Sequence, residues 1–158
     1  MEYKVAIVSD SHGLNRKSLG SAFKEVEWVL HAGDFETQNC LNYFKNLDTK
    51  FFAVRGNVDF GQWAQSLPKT QLVTIGTTFI YMVHNLNDLD IAPEAAGCRF
   101  VIFGHTHKAE SFKRNGVHYI NPGSVGPKRK ECSTSLALLE FDDPETSSDY
   151  CLKFIDVD

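Results

Sequence analysis

The sequence predicts a single α/β domain spanning residues 1–158, built as a two-sheet sandwich with helices on the outside. In the first half, short apolar runs bounded by turn residues alternate with stretches of helical periodicity. That alternation indicates parallel strands joined by right-handed helical crossovers. The second half is richer in short apolar runs, which adds strands rather than helices. A chain of 158 residues is long enough to bury roughly two-thirds of its unfolded surface in one core.

Three strands and two helices are predicted in the first half of the chain. The strands are the apolar runs at 3–9, 27–33 and 50–56, and the helices cover 15–26 and 37–47. In the first helix the apolar side chains recur at three- and four-residue steps, as an amphipathic helix requires. They are Leu19, Ala22, Phe23 and Val26.

The second half carries seven further predicted strands. They cover 71–76, 78–84, 99–104, 109–114, 117–121, 135–141 and 149–157. The pair Asn115-Gly116 lies between two of them and is a strong signal for a tight hairpin turn. We also expect a helix within 89–97, between the second and third of these strands.

Composition and charge exclude some classes of partner. The formal net charge of -4 gives no general attraction to nucleic acid or to an anionic membrane, so we expect neither as a partner. The apolar run near the N-terminus is too short for a signal peptide, and no later segment approaches the ~18 apolar residues of a membrane span. We therefore expect a cytoplasmic protein, and the sequence leaves open whether it forms a homo-oligomer.

Side chains that commonly bind metals follow five of the predicted strands, at the point where each strand ends. In chain order they are Asp10, His12, Asp34, Asn57, His84, His105 and His107. Ligands of open α/β sheets bind beyond the carboxyl ends of the strands. If the five strands share one sheet and one direction, the seven side chains meet at one edge of that sheet.

Seven donors are too many for one metal ion that must also hold water and substrate. Two ions with four protein ligands each, one carboxylate being shared, need seven donors, and Asp34 is the natural bridge between them. Imidazole, carboxylate and amide ligands suit Mn, with Fe, Ni, Zn or Mg as alternatives. The positive charge of two divalent ions exceeds the negative charge of Asp10 and Asp34, and the surplus attracts phosphate.

The motifs that hold these side chains resemble those of the calcineurin-like metallophosphoesterase superfamily. They read "SDSHG", "HAGD", "RGNVD", "MVHN" and "GHTHK", followed by "YINPGS", and are most similar to the small single-domain bacterial and archaeal phosphodiesterases. The resemblance implies a four-layer αββα sandwich of two mixed β-sheets flanked by helices. It also implies two metal sites, one formed by Asp10, His12, Asp34 and His107, the other by Asp34, Asn57, His84 and His105.

The same resemblance implies a phosphodiesterase that hydrolyses small-molecule phosphoesters. A hydroxide that bridges the two ions attacks phosphorus in line with the leaving group. The residues with catalytic roles are then Asp34, as the bridging ligand, and Asn57, which also positions the phosphate.

One departure from the family pattern bears on the chemistry. Family members often carry a histidine or cysteine after the motif asparagine, and the histidine protonates the leaving group, but this chain has Val58. The proton for the leaving group then comes from water, from Asp59, or from no group at all. If Asp59 is not the donor, it orients a neighbouring residue or caps the turn. A phosphomonoesterase and a non-catalytic scaffold of this fold are the alternatives to a phosphodiesterase, and Val58 is the feature that supports a scaffold.

Two further residue groups have alternative interpretations. His31 is either a partner of the bridging carboxylate or a histidine with its hydrogen bonds satisfied elsewhere. The cationic stretch 127–130 either contacts substrate or is a solvated surface.

Overall fold

The computed structural model describes residues 1–157, which form two five-stranded sheets and four short helices. The strands are β1 (Tyr3–Val8), β2 (Trp28–His31), β3 (Lys50–Ala53), β4 (Thr70–Ile75), β5 (Thr78–Val83), β6 (Cys98–Ile102), β7 (Ala109–Arg114), β8 (Val117–Pro122), β9 (Ser135–Phe141) and β10 (Tyr150–Asp156). The α-helices are α1 (Leu19–Phe23) and α2 (Gln38–Lys45), and 3₁₀ helices cover Gln62–Ser66 and Leu86–Asp88.

Both sheets are mixed. The first has the order β10-β9-β1-β2-β3, in which β1, β2 and β3 are parallel and β9 runs antiparallel to β1. The second has the order β4-β5-β6-β8-β7, in which β5, β6 and β8 are parallel and the edge strands are antiparallel. The predicted sandwich of two mixed sheets is confirmed.

The five strands that end in metal-binding side chains do not share one sheet. Three of them, β1, β2 and β3, belong to the first sheet, and β5 and β6 belong to the second. The sequence does not reveal this division, because an apolar run of four to six residues looks the same in either sheet.

The main core lies between the two sheets. Alternate residues of β1 face opposite ways, so Val5 and Ile7 point inward and pack with Ile80 and Met82 of β5. The other face of the first sheet is covered by α1 and α2, which bury Phe23 and Phe44 against it. The strands of both sheets are thus held at fixed positions relative to one another.

The layer on the outer face of the second sheet is thinner than expected. Tyr81, Phe103 and Tyr119 are covered there by Leu86 and Leu89, from the short 3₁₀ helix and the residue that follows it. The helix expected within 89–97 is wrong, because this segment forms consecutive turns instead. Pro93 and Gly97 bound the turn and shorten any helical run.

Helix α1 is also shorter than the sequence predicts. It covers five residues rather than the twelve expected, and it contains Gly20. The hydroxyl of Ser18, at the N-cap position, donates to the carbonyl of Val157 at 2.9 Å and makes no capping bond. A glycine and an uncapped start both weaken a helix, which accounts for the difference. No helix within residues 1–157 is long and apolar enough to cross a membrane.

Candidate metal centre

The seven side chains singled out at the strand ends lie together although they come from two sheets. Within the first sheet, the loop after β1 is joined to the loop after β2 by hydrogen bonds from Asp10 N to Gly33 O (2.9 Å) and from His12 N to Asp34 O (3.0 Å). Within the second sheet, Gly104 N donates to His84 O at 2.9 Å. The two sets of loops meet where His105 N donates to Asp10 Oδ2 at 3.1 Å.

Five of the seven side chains are carried on left-handed backbone. They are Asp10 (φ 57°), His12 (φ 45°), Asp34 (φ 67°), His105 (φ 75°) and His107 (φ 64°). Residues other than glycine adopt this conformation rarely, at a cost of about 1–3 kcal/mol each, and such residues cluster at functional sites. The conformation turns each side chain back over the end of its strand, toward the common centre.

A first group of possible ligands consists of Asp10, His12 and His107. The Nε2 atoms of the two histidines lie 3.2 Å apart, and Asp10 Oδ1 lies 3.5 Å from Nε2 of His107 and 4.0 Å from Nε2 of His12. The opposite ring nitrogen of His12 lies 3.3 Å from a carboxylate oxygen of Glu36. That contact places the proton of a neutral His12 on Nδ1 and leaves Nε2 free to bind a cation.

A second group consists of Asp10, Asp34 and His84. His84 Nδ1 donates to the carbonyl of Ala32 at 2.7 Å, so its other nitrogen faces the centre. That nitrogen lies 3.2 Å from Asp34 Oδ2 and 2.9 Å from Asn57 Oδ1. Asn57 Oδ1 is also 3.1 Å from Nδ1 of His105, which brings the last of the seven side chains into contact.

The Oδ1 atom of Asp10 is buried and has no hydrogen-bond partner among the described residues. The other oxygen, Oδ2, accepts from Ser9 Oγ at 2.8 Å and from His105 N. Burial raises the pKa of Asp10 to about 6, against the opposing charge of His84. A buried carboxylate oxygen that faces three imidazole nitrogens can bind a cation, and this donor set fits a divalent transition metal.

Asp34 and His84 each favour the charged form of the other. Burial alone would raise the pKa of Asp34, but the hydrogen bond and charge of His84 outweigh it and lower the pKa to about 2. Burial would lower the pKa of His84, but Asp34 and Asp10 raise it. The pKa of His107 is lowered to about 4, first by burial and second by the positive charge of Arg129. Arg129 belongs to the cationic stretch 127–130, so the charge of this stretch acts on the centre.

Asp59 has a positioning role that the sequence left undecided. Its Oδ2 atom accepts from Asp34 N (3.0 Å) and Gly56 N (2.7 Å), and its Oδ1 atom accepts from Glu36 N (2.8 Å). The side chain therefore joins the loop after β2 to the loop after β3. The hypothesis that Asp59 donates a proton to the leaving group has no support in this geometry, because both oxygens are occupied by backbone donors.

His31 is a histidine with its hydrogen bonds satisfied elsewhere. Its Nδ1 accepts from Gly33 N at 3.0 Å, its Nε2 lies 2.8 Å from Ser11 Oγ, and its ring stacks on Phe35. None of these three contacts involves Asp34. Through Gly33 N it supports the backbone of the loop that carries Asp34.

A sequence profile of the calcineurin-like phosphoesterase superfamily domain matches residues 3–144 of this chain. The chain belongs to this superfamily. It is 31% identical over 150 residues to the probable metallophosphoesterase YsnB of Bacillus subtilis, which covers 87% of this chain and 84% of that protein. It is 28% identical over 137 residues to the phosphodiesterase MJ0936 of Methanocaldococcus jannaschii, covering 76% of this chain and 82% of that protein.

Solved structures share the fold over nearly the whole chain. A predicted phosphoesterase from Streptococcus pneumoniae superposes with a TM-score of 0.75 at 24% identity, covering 98% of this chain and 89% of the other. Vps29 of Entamoeba histolytica, in a structure with Zn²⁺, superposes with a TM-score of 0.72 at 22% identity, covering 98% and 99%. Membership of the superfamily implies phosphoester hydrolysis with divalent metals. The same fold also occurs in Vps29, a protein named for vacuolar sorting.

Proposed function

We propose that this protein is a phosphodiesterase that depends on two divalent metal ions and hydrolyses small-molecule phosphoesters. The observation that carries the proposal is the buried Oδ1 atom of Asp10, which accepts no hydrogen bond among the described residues and faces three imidazole nitrogens at the meeting point of the strand-end side chains. A scaffold protein has no need to keep such an oxygen buried, because a buried carboxylate oxygen that accepts no hydrogen bond destabilises the fold.

We assign Asp10, His12, Asp34 and His107 to the first ion, and Asp34, Asn57, His84 and His105 to the second. Asp34 Oδ2 lies 3.7 Å from Nε2 of His12 and 3.2 Å from Nε2 of His84, which supports Asp34 as the ligand that the two ions share. Manganese is the expected metal, and Fe, Ni, Zn and Mg are the alternatives.

When bound, two divalent ions supply a nucleophile from water and neutralise the charge of the phosphate. The residues of the chain then have separate roles. His84 is the main group that lowers the pKa of Asp34, and a hydrogen bond from Val58 N at 3.0 Å holds the Asp34 carboxylate in place. Asn57 faces the same space and positions the phosphate. Val58 cannot donate a proton to the leaving group, so we expect acidic leaving groups to depart fastest.

Turnover by metal-stripped protein tests the proposal. Hydrolysis of bis-p-nitrophenyl phosphate and of p-nitrophenyl phosphate is measured after Mn²⁺, Ni²⁺, Zn²⁺ or Mg²⁺ is added back. We expect metal-restored cleavage that favours the diester, and loss of activity by at least about 100-fold in Asp34→Asn. Asp48→Asn, at an exposed carboxylate, is the matched control and should keep full activity.

Each alternative predicts a different outcome of this experiment. Faster cleavage of the monoester would indicate a phosphomonoesterase on the same site. Two bound ions per chain with no turnover of either ester would indicate a non-catalytic protein, and Val58 would then be the decisive departure from the family.

A further inference from the structure

A cavity of about 430 Å³ opens beside Asn57 and His84. Both of these residues belong to the proposed second metal site, so the cavity adjoins the place where the phosphate is bound. Its volume falls within the range of sites that bind small organic molecules, and it exceeds what a phosphate group alone would fill.

The positive charges of this cavity come from two segments that the backbone ties together. Arg55 follows β3 and Lys69 immediately precedes β4, and both line the cavity. Arg55 N donates to the carbonyl of Pro68 at 2.8 Å, which fixes the two cationic residues next to each other.

The negative charges of the cavity come from a different segment, the one that follows β5. Asp88 ends the 3₁₀ helix, which Asn85 caps by accepting from Asn87 N at 3.0 Å. Asp90 lies two residues further on and accepts a hydrogen bond from the hydroxyl of Tyr81. Both aspartates line the cavity, on a segment fixed by its own hydrogen bonds.

The opposite charges share the cavity without pairing with each other. Within residues 1–157, no ion pair joins Arg55 or Lys69 to Asp88 or Asp90. Charges of both signs, grouped by segment around one space, complement a ligand that itself carries both signs.

We propose that this cavity binds a zwitterionic ester group of the phosphodiester, one that carries a carboxylate and an ammonium group. The carboxylate pairs with Arg55 and Lys69, and the ammonium group pairs with Asp88 and Asp90. This inference rests on the proposed phosphodiesterase function, since it names the substrate class of that site.

Two diesters with the same p-nitrophenyl leaving group test the proposal by kinetics. In one the second ester group is seryl, which is zwitterionic, and in the other it is propyl, which is uncharged. We expect the metal-loaded protein to prefer the seryl diester by at least about tenfold in kcat/KM, since a single charge-assisted contact is already worth about that factor. Both Lys69→Gln and Asp88→Asn should reduce this preference.

The matched controls are Lys45→Gln and Asp48→Asn, which remove exposed charges near the end of α2 and should leave the preference intact. Equal kcat/KM for the two diesters, or a preference that survives in both cavity variants, overturns the proposal. That result is distinct from failure of the phosphodiesterase function, in which neither diester is cleaved with any metal.

Binding provides a second measurement that needs no turnover. O-phosphoserine and propyl phosphate are titrated calorimetrically into the metal-loaded protein. We expect O-phosphoserine to bind about tenfold more tightly, with the advantage reduced in Lys69→Gln and in Asp88→Asn. Equal affinities, or no binding of either ligand, overturns the proposal even where the kinetic experiment yields no rate.

Discussion

Asp10 shows most directly how a single residue is placed for metal binding rather than for stability. Its side chain is fully buried, one oxygen has no hydrogen-bond partner among the described residues, and its backbone is left-handed. Each of these features destabilises the metal-free fold, and a bound cation would compensate for the first two.

We expect Asp10→Asn to be more stable than the unmodified protein when metal is absent at pH 7. Because burial raises the folded-state pKa of Asp10 to about 6, above the ordinary value of 3.8, the folded protein binds the proton more tightly than the unfolded chain does. Its stability therefore falls as the pH rises from about 4 to 6, by on the order of 3 kcal/mol. Urea denaturation in EDTA at pH 4 and 7 measures the effect.

The neutral variant lacks this titration, so its stability advantage at pH 7 should disappear near pH 4. Asp48→Asn, at an exposed position, should show no such dependence. An Asp10→Asn variant that is less stable than the parent at pH 7 without metal would contradict this interpretation of Asp10.

On the proposed function, the side chain at position 58 controls how the leaving group departs. We expect Val58→His to accelerate cleavage of a phenyl diester by about 100-fold, because an imidazole there can protonate the departing oxygen. The hydrogen bond to Asp34 Oδ1 uses only the backbone N–H of residue 58, so the substitution retains it. Comparing rates for phenyl and p-nitrophenyl diesters gives the dependence on the leaving group.

The control for this change is Val58→Asn, a polar residue that cannot act as an acid at neutral pH. It should keep the steep dependence on leaving-group acidity of the unmodified protein. The same dependence in the histidine and asparagine variants would show that residue 58 does not face the leaving group.

At the scale of the elements, the loops after the strands are packed so closely that they require particular glycines. A Cβ atom on Gly56 would overlap the carboxylate of Asp34, and one on Gly104 would overlap Ser9 Oγ. These loops carry the ligand-type side chains, so their separation sets the geometry of the centre.

We expect Gly56→Ala to weaken metal binding by more than tenfold, because the added methyl group must displace the Asp34 carboxylate. The matched substitution is Gly20→Ala in α1, where a Cβ atom meets nothing within 4 Å. That variant should bind metal normally and gain about 0.5–1 kcal/mol of stability from helix propensity. Calorimetric titration with Mn²⁺ and urea denaturation measure the two effects.

The strands could be predicted from the sequence because each is a short apolar run that ends at a turn residue or a ligand-type residue. The helix expected within 89–97 was wrong because Pro93 and Gly97 favour turns, which local apolar content does not reveal. In the same way, the apolar periodicity of 15–26 predicted a longer helix. Gly20 and the lack of a capping bond from Ser18 limit α1 to five residues.

For the site, the strand-end rule was enough to select seven side chains that the structure brings together. Their convergence depends on how two sheets pack, which no local pattern in the sequence encodes. The left-handed backbone at Asp10 and Asp34 and the three hydrogen bonds to Asp59 also arise from contacts between distant segments. Only the glycines beside the ligands gave a hint of such close packing.

At the scale of the whole molecule, the centre lies where loops of the two sheets meet, beyond the apolar core that the sheets share. Asp10 and Asp34 lie on loops that follow strands of the first sheet, and His84 and His105 lie on loops that follow strands of the second. A cation bound between them would therefore link the two halves of the sandwich, and its binding free energy would add to the stability of the fold.

We expect Mn²⁺ at 100 times its dissociation constant to stabilise the protein by about 2.7 kcal/mol per site. For a domain of this size that corresponds to a rise of about 5–10 °C in Tm relative to protein in EDTA. Differential scanning calorimetry measures the shift. Asp34→Asn should lose most of it, and an unchanged Tm in the unmodified protein would contradict a metal centre that joins the sheets.

The most direct test of the dinuclear centre is anomalous diffraction from crystals of the Mn²⁺-loaded protein, collected at the manganese edge. We expect two anomalous peaks roughly 3.5–4 Å apart, both within bonding distance of the Asp34 carboxylate. A single peak, or two peaks that do not share Asp34, would contradict the proposed centre.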